Sequence, residues 1–542
     1  MARVLLVGID AATPSLLERW LSDGELPTLG RLAEEGCFGA LRSVPNACSP
    51  AAWTTLATGV NPGRHGIFGF LDRIPGTYRL RQSNAAHRCA PPLWLAASAA
   101  GLRSAILHLP ATFPADEVNG IQVAGWLTPA TDTPGFTHPP ELAGELARRF
   151  GACPLHTDVQ RLVAAGRHGA ARDRILSNLR ARAEITEWLL AREPWDLMAV
   201  AFVEPDPAQH YFWHLTDSAH PAHDPALLHA VGDVVLQVWR ELDRALGRLL
   251  AAAGEVTQVI IFSDHGAGPN MRGPLYLPAL FDRMGWQVRR GGLGRAWRRA
   301  AGYMAARLPA GLKHRLMGRS AGRGADAVSR LLLGDIVWRR TRAWTFLHGG
   351  AAEPWLNLVG RDPGGTVAPG EEADVLRAEL CEALTAATDP VSGARAIRAV
   401  HRREDLYDGP HLGFAPDLLI EWEEGPVLAG LGCGGVEVTR PEAPTWHSGS
   451  HRRDGLLLAW GEGVRSGAAP AAEVADLAPT VLHLLGLPVP GYMDGRVLMD
   501  LFRDGALPEP IVDHDAPLPE TQHREDESSA EVTARLRGLG YL

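Results

Sequence analysis

The N-terminal stretch Met1-Ala-Arg-Val-Leu-Leu-Val-Gly-Ile-Asp10 decides the fold. Arg3–Ile9 is a short, continuous apolar run with β-branched residues, and it stops at an acid. That pattern reads as a strand buried on both faces of a parallel sheet. Helical spacing follows at Leu16, Leu17, Trp20 and Leu21 and resumes through Pro27, Leu29 and Leu32. Comparable strands are predicted at Ser104–Leu109, Asp196–Val203, Gln258–Phe262 and Gly455–Ala459, with helices between them, notably Ala230–Ala252 and Ala475–Leu485. Strand alternating with helix specifies an α/β fold, a mostly parallel sheet covered by helices on both faces.

The rest of the chain bounds that reading. Its 542 residues exceed one ordinary domain, so a large catalytic core with an insertion is expected. A hydrophobic content of 46% is enough for a sizeable core and excludes disorder throughout. No run of about 18 apolar residues occurs, so no transmembrane helix is expected. The N-terminal stretch is too short and too soon acidic for a signal peptide. Cys37, Cys48, Cys89, Cys153, Cys381 and Cys433 show no CxxC spacing, which points away from a disulfide scaffold or zinc finger and towards a reducing cytoplasm.

The core is expected in two parts, residues 1–268 and 442–508. Between them, 269–441 has short strands and turn signals such as Asp362-Pro-Gly-Gly365, and reads as an inserted cap or lid subdomain. Residues 509–542 read as a flexible tail ending in a short amphipathic piece, Val532–Leu542. The formal net charge of −9 is unevenly spread. Residues 289–342 carry 13 Arg and 1 Lys against 2 Asp, or +12, which leaves −21 for the remainder. Trp297, Arg298, Arg299, Tyr303, Met304, Arg307, Leu312 and Leu316 mix basic and apolar residues at roughly helical spacing. The segment admits three readings: a solvated helical face, a membrane-surface helix on anionic lipid through 289–323, or a cap offering Arg forks to a phosphate-bearing substrate.

Polar residues recur where the predicted strands end, the edge at which open parallel sheets bind ligands. Asp10 ends the first strand, Asp206 and His210 follow the one at Val203, and Asp264-His265 follows Phe262. His451, in Ser448-Gly-Ser-His-Arg-Arg-Asp-Gly455, precedes the last. Any one of these alone reads as a helix cap or a satisfied histidine. Together, three Asp and three His suit zinc or manganese, and two ions about 4 Å apart would clamp a phosphoryl group. Asp206 and His210 are four apart, so a helical turn points both one way. Ser49, in Cys48-Ser-Pro-Ala-Ala-Trp-Thr-Thr-Leu-Ala-Thr-Gly59, is the candidate nucleophile, because a hydroxyl at a helix N-terminus faces a natural phosphate site.

Taken together, Val7-Gly-Ile-Asp10, the Ser49–Ile67 block, Glu204-Pro-Asp206…His210, Ser263-Asp-His-Gly266, Gly449-Ser-His-Arg452, Asp476–Leu487 and Met493-Asp-Gly-Arg-Val497 resemble the alkaline phosphatase superfamily. The closest likeness is to its type I phosphodiesterase/nucleotide pyrophosphatase family. The resemblance implies an alkaline-phosphatase-like sheet and two divalent ions, zinc or manganese. One ion would be held by Asp206, His210 and His451, the other by Asp10, Asp264, His265 and the Ser49 hydroxyl. His447 is the alternative to His451. The resemblance further implies hydrolysis of phosphodiester or pyrophosphate bonds through a phosphoseryl intermediate at Ser49. The expected partner is a phosphate-ester small molecule or head group, with no nucleic acid polymer. Two other activities share the constellation: transfer of the phosphoryl-linked group to a lipid or glycan alcohol, and a sulfatase-like hydrolysis. The sulfatase motif Cys-x-Pro-x-Arg fits poorly, since from Cys48 its Arg position holds Ala52 and from Ser49 its Pro position holds Ala51.

Overall fold

The computed structural model describes residues 3–151, 153–155, 159–254, 258–291, 324–348, 350–425, 427–440 and 447–518. Most of the basic segment and the terminal amphipathic piece lie outside the described residues. Two compact units divide the chain. The first draws on Met1–Ile67, Asn84–Pro269 and His447–Glu525, the second on Phe68–Ser83 and Asn270–Trp446. No helix among the described residues is long and apolar enough to cross a membrane.

In chain order the first unit has β1 (Val4–Ile9), β2 (Cys37–Arg42), β3 (Ser104–Leu107), β4 (Gly120–Val123), β5 (Thr137–His138), β6 (Leu197–Phe202), β7 (Gln258–Phe262), β8 (Gly266–Pro269), β9 (Gly449–Arg452), β10 (Asp454–Gly461), β11 (Gly467–Ala468) and β12 (Ala472–Glu473). Its main helices are α1 (Ser49–Thr58), α2 (His168–Leu190), α3 (Pro205–Thr216) and α4 (Val234–Ala253). All but β8 and β9 belong to one 10-stranded sheet, ordered β11-β2-β10-β7-β1-β6-β3-β4-β5 with β12 also beside β2. The middle of the sheet is parallel: β1 runs with β6 and β7, and β3 with β6 and β4. β10 runs antiparallel to β7 and β2, so its start lies beside the C-terminal end of β7.

Every residue of β1 is buried. Val4 and Leu6 join Ile260, Phe262, Leu457 and the α1 residues Ala52, Trp53 and Leu56 in one apolar cluster. Leu5, Val7 and Ile9, equally buried, point to the opposite face. This two-sided burial is why the strand reads as an unbroken apolar run. The predicted strands are found, with ends set by local chemistry. β3 stops at Leu107 because His108 takes a left-handed φ of 64°. α4 starts at Val234, later than the sequence suggests. Gly232, at φ 74°, breaks the chain there, and the Asp233 side chain caps the new helix by accepting from the Leu236 N–H.

Two features fix the site-bearing edge of the sheet. A Cβ on Gly8 would lie 2.3 Å from the Trp53 ring, so only glycine lets α1 sit so close to β1. Glu204, after β6, is fully buried and accepts Arg182 Nε from α2 at 2.9 and 3.2 Å, while Arg182 Nη2 donates to the Pro154 carbonyl. Such a pair is costly to break by halves, because removing one partner strands the other charge.

The second unit is built from two-stranded pieces around helices Gly273–Arg283 and Glu371–Thr385. Ile397–Arg402 pairs antiparallel with Leu418–Trp422, Ala343–Trp344 with Trp355–Leu356, and Leu71–Arg73 with Leu80–Gln82. Its apolar core gathers Leu277, Leu280, Phe281, Leu356, Leu376, Leu380, Ile397 and Leu418. A buried ionic network crosses the unit: Arg361 forks onto Asp417 at 2.7 and 2.8 Å and touches Asp362, which also pairs with Arg73. Glu353 is buried with its Oε2 accepting the Ile420 N–H at 3.0 Å, and burial pushes its carboxyl up to about 8.

Two predictions follow from these contacts. Gly8→Ala overpacks the contact with Trp53 and lowers stability by about 1–3 kcal/mol in urea unfolding. For Glu353, the folded protein keeps a proton that the unfolded chain releases near its ordinary value of 4.5. Stability is therefore lost as pH rises from there through about 8. Glu353→Gln, which retains the acceptor for Ile420, flattens that slope when urea midpoints are compared across the window.

Candidate metal centre

All the candidate residues named from the sequence lie in the first unit, at the C-terminal edge of the parallel strands. Asp10 leaves β1. Asp206 and His210 occupy the first two turns of α3, which follows β6 directly, and Asp264-His265 leaves β7. His451 lies on β9, where its pairing with Ala267 of β8 brings it back to the end of β7. Ser49 is the first residue of α1 and only 2% exposed.

These side chains converge. His265 Nε2 lies 2.9 Å from Ser49 Oγ, 3.4 Å from Asp10 Oδ1 and 3.3 Å from Asp264 Oδ2. Asp206 Oδ1 lies 3.1 Å from His210 Nε2 and 3.6 Å from His451 Nε2. Donor atoms of Asp10, Asp264 and His265 fall within 4.8 Å of one another, and so do those of Asp206, His265 and His451. The rings of His265 and His451 stack with centroids 3.8 Å apart, which joins the two groups.

The three imidazoles share one orientation. His210 Nδ1 faces the Gly449 carbonyl at 3.0 Å, His451 Nδ1 that of Ala47 at 2.8 Å, and His265 Nδ1 that of Gly266 at 3.0 Å. A carbonyl only accepts, so each Nδ1 carries a proton and each Nε2 is turned to the centre, the arrangement typical of metal-ligating histidine. His210 Nε2 and His451 Nε2 are 3.1 Å apart. Two lone pairs at that distance need a proton or a cation between or beside them.

The acids tell the same story. Asp10 Oδ1 and both Asp264 carboxylate oxygens are buried without a hydrogen-bond partner among the described residues. Burial, then repulsion from Asp264 and Asp206, raises the Asp10 carboxyl well above its usual range. Burial and the Asp206 charge push Asp264 up to about 8. Burial works against an ionised Asp206 too, but positive charge on His210 and hydrogen bonds from His210 and His451 hold it well below the ordinary value, and the Asp206 charge in turn raises His210 against its burial. Burial and the neighbouring His451 keep His265 neutral, far below the usual imidazole range. Buried carboxylates without hydrogen bonds are expensive unless a cation joins them. The donor set, three carboxylates with three inward imidazoles and a hydroxyl, fits divalent zinc or manganese.

Sequence spacing alone left His447 and His451 as alternatives, and the structure separates them. His447 lies half-buried behind His210, ring centroids 4.8 Å apart, and its Nε2 bonds the Tyr211 hydroxyl at 3.1 Å. Burial, then His210, pushes it down to about 3. His451 is the one that reaches Asp206. The contribution of Tyr211 was not legible in the sequence, where it reads as one more aromatic of α3.

The sequence profile of the family described as type I phosphodiesterase / nucleotide pyrophosphatase matches residues 4–431. The chain belongs to this family. It is a hydrolase of phosphoric ester bonds within the alkaline phosphatase superfamily. No curated protein matches the sequence. Among solved structures, phosphonoacetate hydrolase from Sinorhizobium meliloti 1021, in complex with phosphonoacetate, is similar with a TM-score of 0.55 and 17% identity. That match covers 90% of this chain and 96% of the hydrolase. Human ectonucleotide pyrophosphatase/phosphodiesterase 5 is similar at a TM-score of 0.49 and 15% identity, covering 93% of this chain and 100% of that one. At such identities the likeness to the hydrolase speaks to the fold.

The geometry predicts that His451→Ala weakens zinc binding at least about tenfold in calorimetric titration. His447→Phe, which keeps a ring against His210 and loses the bond to Tyr211, leaves both the affinity and the number of ions bound unchanged.

Proposed function

We propose that the chain is a two-metal phosphodiesterase or pyrophosphatase that works through a phosphoseryl intermediate at Ser49. The carrying observation is the set of three inward-facing imidazole Nε2 atoms beside three buried carboxylates, with Ser49 Oγ 2.9 Å from His265 Nε2. Asp206, His210 and His451 would hold one ion. Asp10, Asp264, His265 and the Ser49 hydroxyl would hold the other. Bound divalent ions supply Lewis-acid charge, which neutralises phosphoryl oxygens and favours ionisation of the serine hydroxyl.

The chain's own residues do the rest. His265, with its Nδ1 proton committed to the Gly266 carbonyl, sets its Nε2 2.9 Å from Ser49 Oγ, so that both would face the same ion. Ser49 opens α1, where free backbone N–H groups and the positive end of the helix dipole favour a phosphate. The serine oxygen forms a bond to phosphorus as the bond to the leaving-group oxygen breaks. Water then attacks the phosphoserine and restores the hydroxyl. Burial of Asp10, Asp264 and His265 keeps bulk water from competing with these contacts.

The test is hydrolysis of bis-p-nitrophenyl phosphate alongside a nucleoside pyrophosphate, a phosphomonoester and a phosphonate. Activity on the diester or the pyrophosphate should vanish on chelation and return with zinc or manganese. Ser49→Ala should lose more than about 10³-fold in kcat while still binding metal. Full activity in Ser49→Ala would refute the covalent route, and full activity after exhaustive chelation would refute the metal route.

A further inference from the structure

The turn that carries Asp10 is clamped by side chains that touch no candidate ligand atom. Ala11, next to Asp10, holds a left-handed φ of 64° although it is not glycine, and it is fully buried. Such a conformation persists only where the surroundings impose it. Three bonds do so here. Gln209 Nε2, from α3, donates to the Ala11 carbonyl at 2.8 Å. The Ala12 N–H donates to Ser263 Oγ at 2.9 Å, and Ser263 Oγ in turn donates to the His265 carbonyl at 2.5 Å. The Thr13 hydroxyl accepts from the Ala267 N–H at 2.6 Å, on the strand paired with His451.

Gln209 is the member that joins the two ligand groups. It precedes His210 on α3, is 1% exposed, and divides its amide protons between the Ala11 carbonyl and the Pro205 carbonyl at 3.2 Å. Its own backbone oxygen is packed so closely against Gly449 that a Cβ there would lie 2.4 Å away, and the Gly449 carbonyl orients His210. The helix bearing Asp206 and His210 therefore holds the Asp10 turn through one amide side chain.

We infer that Gln209, seconded by Ser263, is a positioning residue that sets the Asp10 turn against α3 and so completes the ion site of Asp10, Asp264 and His265. The inference rests on the proposed two-metal reading and adds a selective consequence. α3 is anchored by its own backbone and by Arg182–Glu204, so loss of the Gln209 bond frees the Asp10 turn and leaves the Asp206 group in place.

The experiment is calorimetric zinc titration of metal-free protein in two backgrounds. His451→Ala leaves the Asp10 group complete, and Asp264→Asn leaves the Asp206 group complete. Adding Gln209→Leu should weaken zinc binding about tenfold to a hundredfold in the first background and less than about threefold in the second. Ser263→Ala, a smaller change, should weaken the first background in the same selective way. Equal weakening in both backgrounds, or none in either, would overturn the inference while the wild type still bound two ions. A wild type that binds no zinc would instead overturn the two-metal reading on which the inference rests.

Discussion

Three carboxylates are forced together at the edge of one sheet, with little but imidazole to offset them. Asp10 and Asp264 leave neighbouring parallel strands, and Asp206 opens the helix after a third. Parallel strands end on the same side, so the fold itself delivers these acids to one place. Burial then removes the water that would screen them, and Asp10 and Asp264 respond by holding protons far above the usual carboxylate range. The histidines are turned by backbone carbonyls so that their Nε2 atoms face the same space as the acids. Left alone this is an unfavourable arrangement, which the proposed divalent cations would relieve. The chemistry proposed for Ser49 follows from where those cations would sit.

Much of this was legible in the sequence because the strands are buried on both faces and end in acids. Arg3–Ile9 could be little else than a central parallel strand, and Asp10 had to stand at its end. The i, i+4 spacing of Asp206 and His210 needed only a helical turn to be read. Other features depend on contacts distant in sequence. Whether His447 or His451 faces Asp206 is settled by the pairing of His451 with Ala267, a register no local pattern encodes. The reversed direction of β10 was hidden for the same reason, since an apolar run carries no sign of its orientation. Nothing in the local sequence singles out Gln209. Its meaning lies in a carbonyl 198 positions away.

The formal charge of −9 describes this molecule poorly. Burial holds the carboxyls of Asp10, Asp264 and Glu353 above their ordinary range, and others, such as Glu204 and Asp417, are locally offset by arginine. The two units carry their ionic networks separately: Arg182–Glu204 braces the strand end before Asp206, and Arg361 with Asp417 and Asp362 ties the second unit together. In both, an arginine donates to a buried carboxylate: Arg182 through Nε to both oxygens of Glu204, and the half-buried Arg361 through both Nη atoms to Asp417. Removing one partner of either pair would strand the other charge in the interior.

The most direct measurement is zinc-edge anomalous diffraction from crystals of the metal-loaded protein. The account predicts two peaks: one bonded to Asp206, His210 and His451, the other to Asp10, Asp264 and His265 beside Ser49 Oγ. No peak at the edge of the sheet, a single peak, or a peak ligated by His447 in place of His451 would contradict it.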